Sequence, residues 1–211
     1  LDKLAAKVKE GGFDCGIAFD GDADRCLAVD ENGELIDGDM MMAILAKRFH
    51  EEGRLYKNIL IPTIMSNMGL FKFAEKYGIS CYPTKVGDRY VLESLLKLNA
   101  SLGGEQSGHI IIPEYMTTGD GELSALMLIE SMKLSGKKAS ELKKVMTVYP
   151  QVMVNIEATP EMKAKLNDVE VKSYLDIETE RLDGDGRILV RPSGTEPLIR
   201  IMIEGKEQEK I

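Results

Sequence analysis

The sequence predicts an α/β protein: a mixed, mainly parallel sheet domain with flanking helices, followed by a small α+β domain. Three observations carry this expectation. Short apolar runs alternate with amphipathic helical runs, at intervals of roughly 25 residues, as βα units do. This alternation holds as far as Met146. Beyond Thr147–Pro150 the order changes to a strand, a long charged helical stretch and a closing strand pair.

Taken in order, Leu1, Leu4, Ala5 and Val8 recur at helical spacing, and Gly11-Gly12 ends that run. Cys15–Phe19 and Cys26–Val29 read as strands, and Asn32-Gly33 marks a tight turn. Residues 39–52 read as a helix with Met41, Ile44, Leu45 and Phe49 on one side. Strands at 59–61 and 79–82 alternate with helices at 67–77 and 88–98. A strand at 108–112 precedes helices at 121–134 and 139–146. The last part reads as a strand at 151–158, helix over 161–182, and strands at 187–190 and 198–204. On the last strand Ile199, Ile201 and Ile203 share one face, which leaves Arg200 on the other.

Composition bounds the function. With 44% hydrophobic and 29% charged residues among 211, the chain reads as globular. A net charge of −8 argues against a nucleic-acid partner, which needs clustered Lys and Arg. No apolar run approaches the ~18 residues of a membrane span. Cys15, Cys26 and Cys81 are few, odd in number and widely spaced, which fits a reducing cytoplasm better than a disulfide framework or zinc site. The chain opens inside a helical pattern without Met and stops soon after a strand, so a piece of a longer protein is expected.

Three stretches carry candidate chemistry. In Phe19-Asp20-Gly21-Asp22-Ala23-Asp24-Arg25, three carboxylates alternate on a loop between strands. In an extended segment that spacing points them the same way, and hard oxygen donors suit Mg²⁺ or Ca²⁺. An EF-hand loop would need Gly where Arg25 stands, and strands rather than helices flank the stretch. A solvated acidic turn is the plainer alternative.

In Gly103-Gly104-Glu105-Gln106-Ser107-Gly108-His109, Glu105, Ser107 and His109 alternate and form a set suited to sugar hydroxyls. The competing reading is a glycine-rich hairpin with a buried, satisfied histidine. In Arg191-Pro192-Ser193-Gly194-Thr195-Glu196-Pro197, Arg191 offers a planar fork, and the N–H groups of Ser193, Gly194 and Thr195 an anion nest. Arg200 is placed to reach back to this loop. A simple Ser-Gly turn is the alternative. A fourth stretch, Thr84 to Arg89, joins a strand to a helix, where α/β sheets bind ligands, but Asp88 there can equally cap the helix. Thr117 to Gly121 reads as a helix start, His50 as solvated, and Met40–Met42 as packing.

Together, in this order and at these separations, the three stretches resemble the α-D-phosphohexomutase family. The segments VGDRYVLE and YPQVMVNI lean to its glucosamine branch rather than to the phosphomannomutase/phosphoglucomutase branch. The resemblance covers nearly the whole chain but only about half of that family's four domains. It implies the end of domain 2 at residues 1–36, domain 3 at 37–146, and domain 4, without its closing helix, at 147–211.

By this resemblance Asp20, Asp22 and Asp24 hold one Mg²⁺, and Arg25 lies beside the transferring phosphoryl group. Glu105 and Ser107 hold sugar hydroxyls with His109 nearby, and Asp88 and Arg89 help select the sugar. Arg191, Ser193, Gly194, Thr195 and Arg200 grip the non-reacting phosphate. The family's phosphoserine lies in a Ser-His-Asn stretch, which these 211 residues do not contain. The implied reaction of the whole enzyme interconverts glucosamine 6-phosphate and glucosamine 1-phosphate, feeding cell-wall amino sugars. Glucose or glucosamine 1,6-bisphosphate serves as activator or intermediate. The implied partners are a phosphosugar and the N-terminal domains of the same protein, with no membrane, and a homodimer is compatible. A mutase of the other branch, and a non-catalytic metal- or phosphosugar-binding module, are the alternatives.

Overall fold

The computed structural model describes residues 1–194 and 196–211 and divides into two compact units, Leu1–Thr147 and Val148–Ile211. Each is described by itself.

In the first unit, α1 (Asp2–Lys9) ends before the paired glycines. β1 (Cys15–Phe19) and β2 (Cys26–Asp30) form an antiparallel hairpin whose register closes with Phe19 opposite Cys26. β3 (Leu35–Ile36) extends it, pairing with β2 across the Asn32–Gly33 turn. It has no counterpart in the sequence reading, since two residues cannot show an alternation.

The centre of the unit is α2 (Gly38–Glu51), buried continuously from Gly38 to Ala46 and again at Phe49. Met40, Met41 and Met42 are all core, because the helix is covered on every side rather than on one. Asp37 caps it, accepting from the Met40 N–H at 2.9 Å. α3 (Met68–Lys76) and α5 (Gly121–Ser135) pack against it.

β4 (Ile59–Leu60) runs parallel to β5 (Ser80–Cys81), and the parallel pairing continues through bridges from Thr63 to Thr84 and from Ile61 to Gly103. Gly103 opens β6 (Gly103–Gly104), a strand too short to be read from the sequence. β7 (Ile110–Ile111) returns antiparallel to β6. The unit is therefore a mixed α/β arrangement of small sheets with flanking helices, as the alternation predicts, but parallel pairing is confined to β4, β5 and their bridges, while β1–β2, β2–β3 and β6–β7 are antiparallel. α4 (Asp88–Leu98) occupies the predicted span. The predicted last helix is shorter: α6 (Ala139–Leu142) gives way to a 3-10 turn at Lys143–Val145. There the Lys143 ammonium is tied to the buried Asp30 carboxylate at 3.1 Å and to Glu34 at 3.0 Å.

In the second unit, β8 (Gln151–Glu157), β9 (Gly186–Pro192) and β10 (Leu198–Gly205) form an antiparallel sheet in the order β8-β10-β9. The helical stretch predicted as one run is two helices, α7 (Pro160–Lys165) and α8 (Val169–Glu180). The break falls at Asn167-Asp168, residue types whose side chains compete with the helix for backbone groups. Both faces of the central strand β10 are partly covered. Met202, on the face shared with Arg200, is 2% exposed, and Ile199 on the other is 8%. That corrects the expectation of a single apolar face. No helix among the described residues is long and apolar enough to cross a membrane.

Candidate functional site

The loop between β1 and β2 brings Asp20, Asp22 and Asp24 together, with one ligand atom from each within 4.8 Å of the others. The convergence arises differently from the extended alternation expected. The Ala23 N–H donates to Asp20 O at 3.3 Å, and Ala23 takes a left-handed conformation (φ 57°). That conformation costs a non-glycine residue roughly 1–2 kcal/mol, so the surrounding structure must hold it. The Arg25 N–H donates to Asp20 Oδ1 at 3.2 Å. The Arg25 guanidinium lies 3.8 Å from both Asp20 and Asp24, offsetting part of the like-charge repulsion.

The loop is held from outside by the start of α5. The Gly121 N–H donates to Ala23 O at 2.9 Å, and Asp120 caps the helix by accepting from the Leu123 N–H. A Cβ on Gly121 would stand 2.5 Å from Arg25 O, so only glycine permits this approach. The positive end of the α5 dipole therefore meets the acidic loop. From the sequence, Thr117–Gly121 reads as a helix start only. The missed signal is a glycine at the first helical position, where a helix gains nothing from it unless another backbone approaches.

The second glycine-rich stretch is the turn of the β6–β7 hairpin. It packs on the same loop: the Cys26 N–H donates to Gly108 O at 3.1 Å, and Gly108 has φ +95°. His109 is 3% exposed. Its Nε2 accepts from the Gly119 N–H at 3.1 Å, which leaves a proton on Nδ1 to donate to Asp24 Oδ2 at 3.0 Å. Both ring nitrogens are thus engaged within the protein. This departs from the expectation that His109 joins a sugar-facing set with Glu105 and Ser107. The alternation that suggested one shared face is broken by the tight turn, and the buried, satisfied histidine of the second reading is what forms.

Ser107 remains exposed on the turn. Glu105 Oε1 accepts from the Gly87 N–H at 2.8 Å, tying the hairpin to the Thr84–Arg89 loop. Gly87, not Asp88, is the N-cap of α4, and Asp88 follows as an exposed first-turn acid. Arg89 pairs with Glu93 one turn along its own helix, with its side chain 81% exposed. Asp37 was not singled out from the sequence, yet its carboxylate also accepts from Gln106 Nε2 at 3.3 Å. Burial pushes its pKa up despite these hydrogen bonds. The thiols are inert by contrast with the carboxylates. Burial raises Cys81 to about 12, and burial and then Cys15 raise Cys26 to about 11, so neither supplies a thiolate near neutral pH.

In the second unit, the β9–β10 register sets Arg191 directly opposite Arg200, with Asn155 on the other flank of Arg200. Directly opposed residues point to one face, where two like charges repel. Arg200 pairs with Glu196, and its Nε is buried with no partner among the described residues. Arg191 makes no ion pair among them. Ser193 is less available than expected: its N–H donates to Leu198 O at 2.8 Å, and its hydroxyl accepts from the Glu196 N–H at 3.2 Å. That takes one donor out of the expected nest. Thr195 lies outside the described residues.

Residues 37–149 match the family model described as phosphoglucomutase/phosphomannomutase, alpha/beta/alpha domain III, and residues 136–211 match the C-terminal domain of the same family. The chain belongs to this family.

Other members carry the likeness across nearly all of the chain. It is 52% identical over 209 residues to a phosphoglucosamine mutase of Alkaliphilus oremlandii and 54% identical over 209 residues to one of Clostridium botulinum. In both cases the match covers 99% of this chain and 46% of the relative. The chain thus spans about half the length of the curated relatives it matches. Among solved structures, an N-acetylglucosamine-phosphate mutase described as a member of the alpha-D-phosphohexomutase superfamily aligns with a TM-score of 0.77 at 20% identity. That alignment covers 93% of this chain and 46% of that one. An Aspergillus fumigatus N-acetylphosphoglucosamine mutase, solved with GlcNAc-6P and magnesium, gives 0.77 at 20% identity over 99% of this chain and 53% of its own. At that identity the structural likeness speaks to the fold.

In this family member, then, the acidic loop, the Gly-rich hairpin and the Thr84–Arg89 loop are joined by direct hydrogen bonds within one unit. The Arg191–Arg200 loop is built separately in the other unit.

Proposed function

We propose that this chain carries the metal, sugar and distal phosphate loops of a phosphoglucosamine mutase. The whole protein would interconvert glucosamine 6-phosphate and glucosamine 1-phosphate through a phosphoserine and a 1,6-bisphosphate. The observation that carries this reading is the acidic loop. Three carboxylates are held together by a strained turn, a helix start and a histidine, with Arg25 beside them. A merely solvated acidic turn has no need of these restraints.

The donor set fits Mg²⁺. Carboxylate oxygens are hard donors, and three of them leave coordination positions for water or a phosphate oxygen. Such a cation would offset charge on a phosphoryl group. Within the chain, Asp20, Asp22 and Asp24 hold the cation and Arg25 orients the phosphoryl oxygens. Glu105 and Ser107 bind sugar hydroxyls, with Asp88 and Arg89 at the edge of the sugar site. Arg191, Gly194 and Arg200 bind the phosphate that is not reacting, with Ser193 and Thr195 in the same loop. His109 positions Asp24.

Two measurements test the reading. Calorimetry of the 211-residue chain should detect Mg²⁺ binding that Asp22→Asn abolishes. The whole protein should turn over glucosamine 6-phosphate in preference to mannose 6-phosphate and glucose 6-phosphate. A preference for either of the latter assigns it to the other branch. The 211 residues contain no Ser-His-Asn stretch, and no conversion by them alone is expected.

A further inference from the structure

Lys163 lies on α7, in a stretch whose sequence reads only as charged helix. Its ammonium donates to two carbonyls of the β9–β10 loop, Ser193 O at 2.8 Å and Glu196 O at 2.6 Å. Two of its three protons are therefore committed to that loop. In a trans peptide the C=O of one residue and the N–H of the next point in opposite directions. Holding Ser193 O toward Lys163 turns the Gly194 N–H away from it. A Cβ built on Gly194 would meet nothing within 4 Å, so open space lies beside its Cα. Pro197 has no N–H, so the bond to Glu196 O fixes the exit of the loop rather than a second donor. The internal bonds from Ser193 N–H to Leu198 O and from Glu196 N–H to Ser193 Oγ close the turn, and among the described residues it is Lys163 that donates to Ser193 O.

We propose that Lys163 is a positioning residue of this loop: it orients the Ser193–Gly194 peptide so that the Gly194 N–H is presented to a phosphate oxygen, and it places a positive charge behind the site. The proposal rests on the reading of this loop as a phosphate grip.

The test is a titration of the ¹⁵N-labelled 211-residue chain with inorganic phosphate, following the Gly194 amide resonance. In the wild-type chain the resonance shifts saturably, and Arg191→Ala abolishes the shift. Lys163→Met raises the Kd by about tenfold or more, as expected when charge-assisted hydrogen bonds are lost. Lys163→Arg, which can still donate to both carbonyls, restores most of the affinity. If Lys163→Met does not fold, Lys163→Gln, which keeps polarity without the charge or reach, is read in the same way. A Kd unchanged in the substituted chain overturns the role of Lys163 while leaving the phosphate grip intact. A wild-type chain whose Gly194 amide does not respond overturns both.

Discussion

The imidazole Nδ1 of His109 stands 3.0 Å from Asp24 Oδ2, across 85 residues of sequence. With Nε2 accepting from the Gly119 N–H, the ring has one tautomer and one orientation. Asp24 is thereby held at a fixed angle in the acidic loop. Outer partners of this kind typically contribute 10- to 100-fold to metal affinity. Replacing His109 by Phe should therefore weaken Mg²⁺ binding by roughly tenfold or more. Calorimetry on the chain measures this directly, and an unchanged affinity rules out the positioning role.

Gly121→Ala should destabilise the first unit. The added methyl would lie 2.5 Å from Arg25 O and 2.9 Å from Ala23 O, both backbone atoms that cannot swing aside. Overpacking of this kind costs about 1–3 kcal/mol. Denaturant unfolding gives the stability change. Because the displaced atoms belong to the acidic loop, Mg²⁺ affinity should fall in the same variant.

Arg191→Ala and Arg200→Ala, made in the whole protein, should raise KM for the sugar phosphate with a smaller effect on kcat. Each would remove a contact made equally in ground and transition states. Their opposed positions on β9 and β10 make the two effects non-additive. Steady-state kinetics of the single and double variants check both points, and additive losses would show that the guanidinium groups do not share an anion.

The contact between Glu31 and Ser140 gives a pH dependence. Burial alone would raise the Glu31 pKa, but hydrogen bonds from Ser140 Oγ and N–H outweigh it and hold the carboxyl below the usual glutamate range. A carboxyl whose folded pKa is depressed contributes stability above its unfolded pKa and loses it as pH falls through the folded value. Ser140→Ala should therefore lower Tm near neutral pH, and the gap to the wild type should narrow in acid below the usual glutamate pKa. A gap that stays constant across that range would exclude the Glu31 contribution.

Among the described residues, removing the Lys143 ammonium leaves the fully buried Asp30 carboxylate with only its N–H donors from Asn32 and Glu34. Lys143→Met should cost about 3 kcal/mol, the order expected for an unpaired buried charge. Chemical denaturation of the variant measures it.

Much of the fold was legible because it is specified locally. The β1–β2 hairpin follows from two apolar runs around a polar loop, and the span of α4 from its apolar spacing. The three candidate stretches stand out because each packs unusual chemistry into a few residues. β3 and β6 escaped, since they exist only through their partners, whereas the equally short β4, β5 and β7 lie in stretches that read as strands. β10 buries Met202 as well as Ile199 because a central strand is covered from both sides, whatever its own alternation.

By itself the sequence determined the α/β alternation, the positions of three chemically unusual loops and the family to which the chain belongs. Tertiary structure decided what the individual side chains do. It gave His109 to Asp24, gathered three aspartates by a left-handed turn rather than an extended strand, and set Lys163 against the β9–β10 loop. The reason is physical: residue type and spacing fix what a side chain can donate or accept. The partner it meets depends on backbone approaches, at Gly121 or across β9 and β10, that no local pattern encodes.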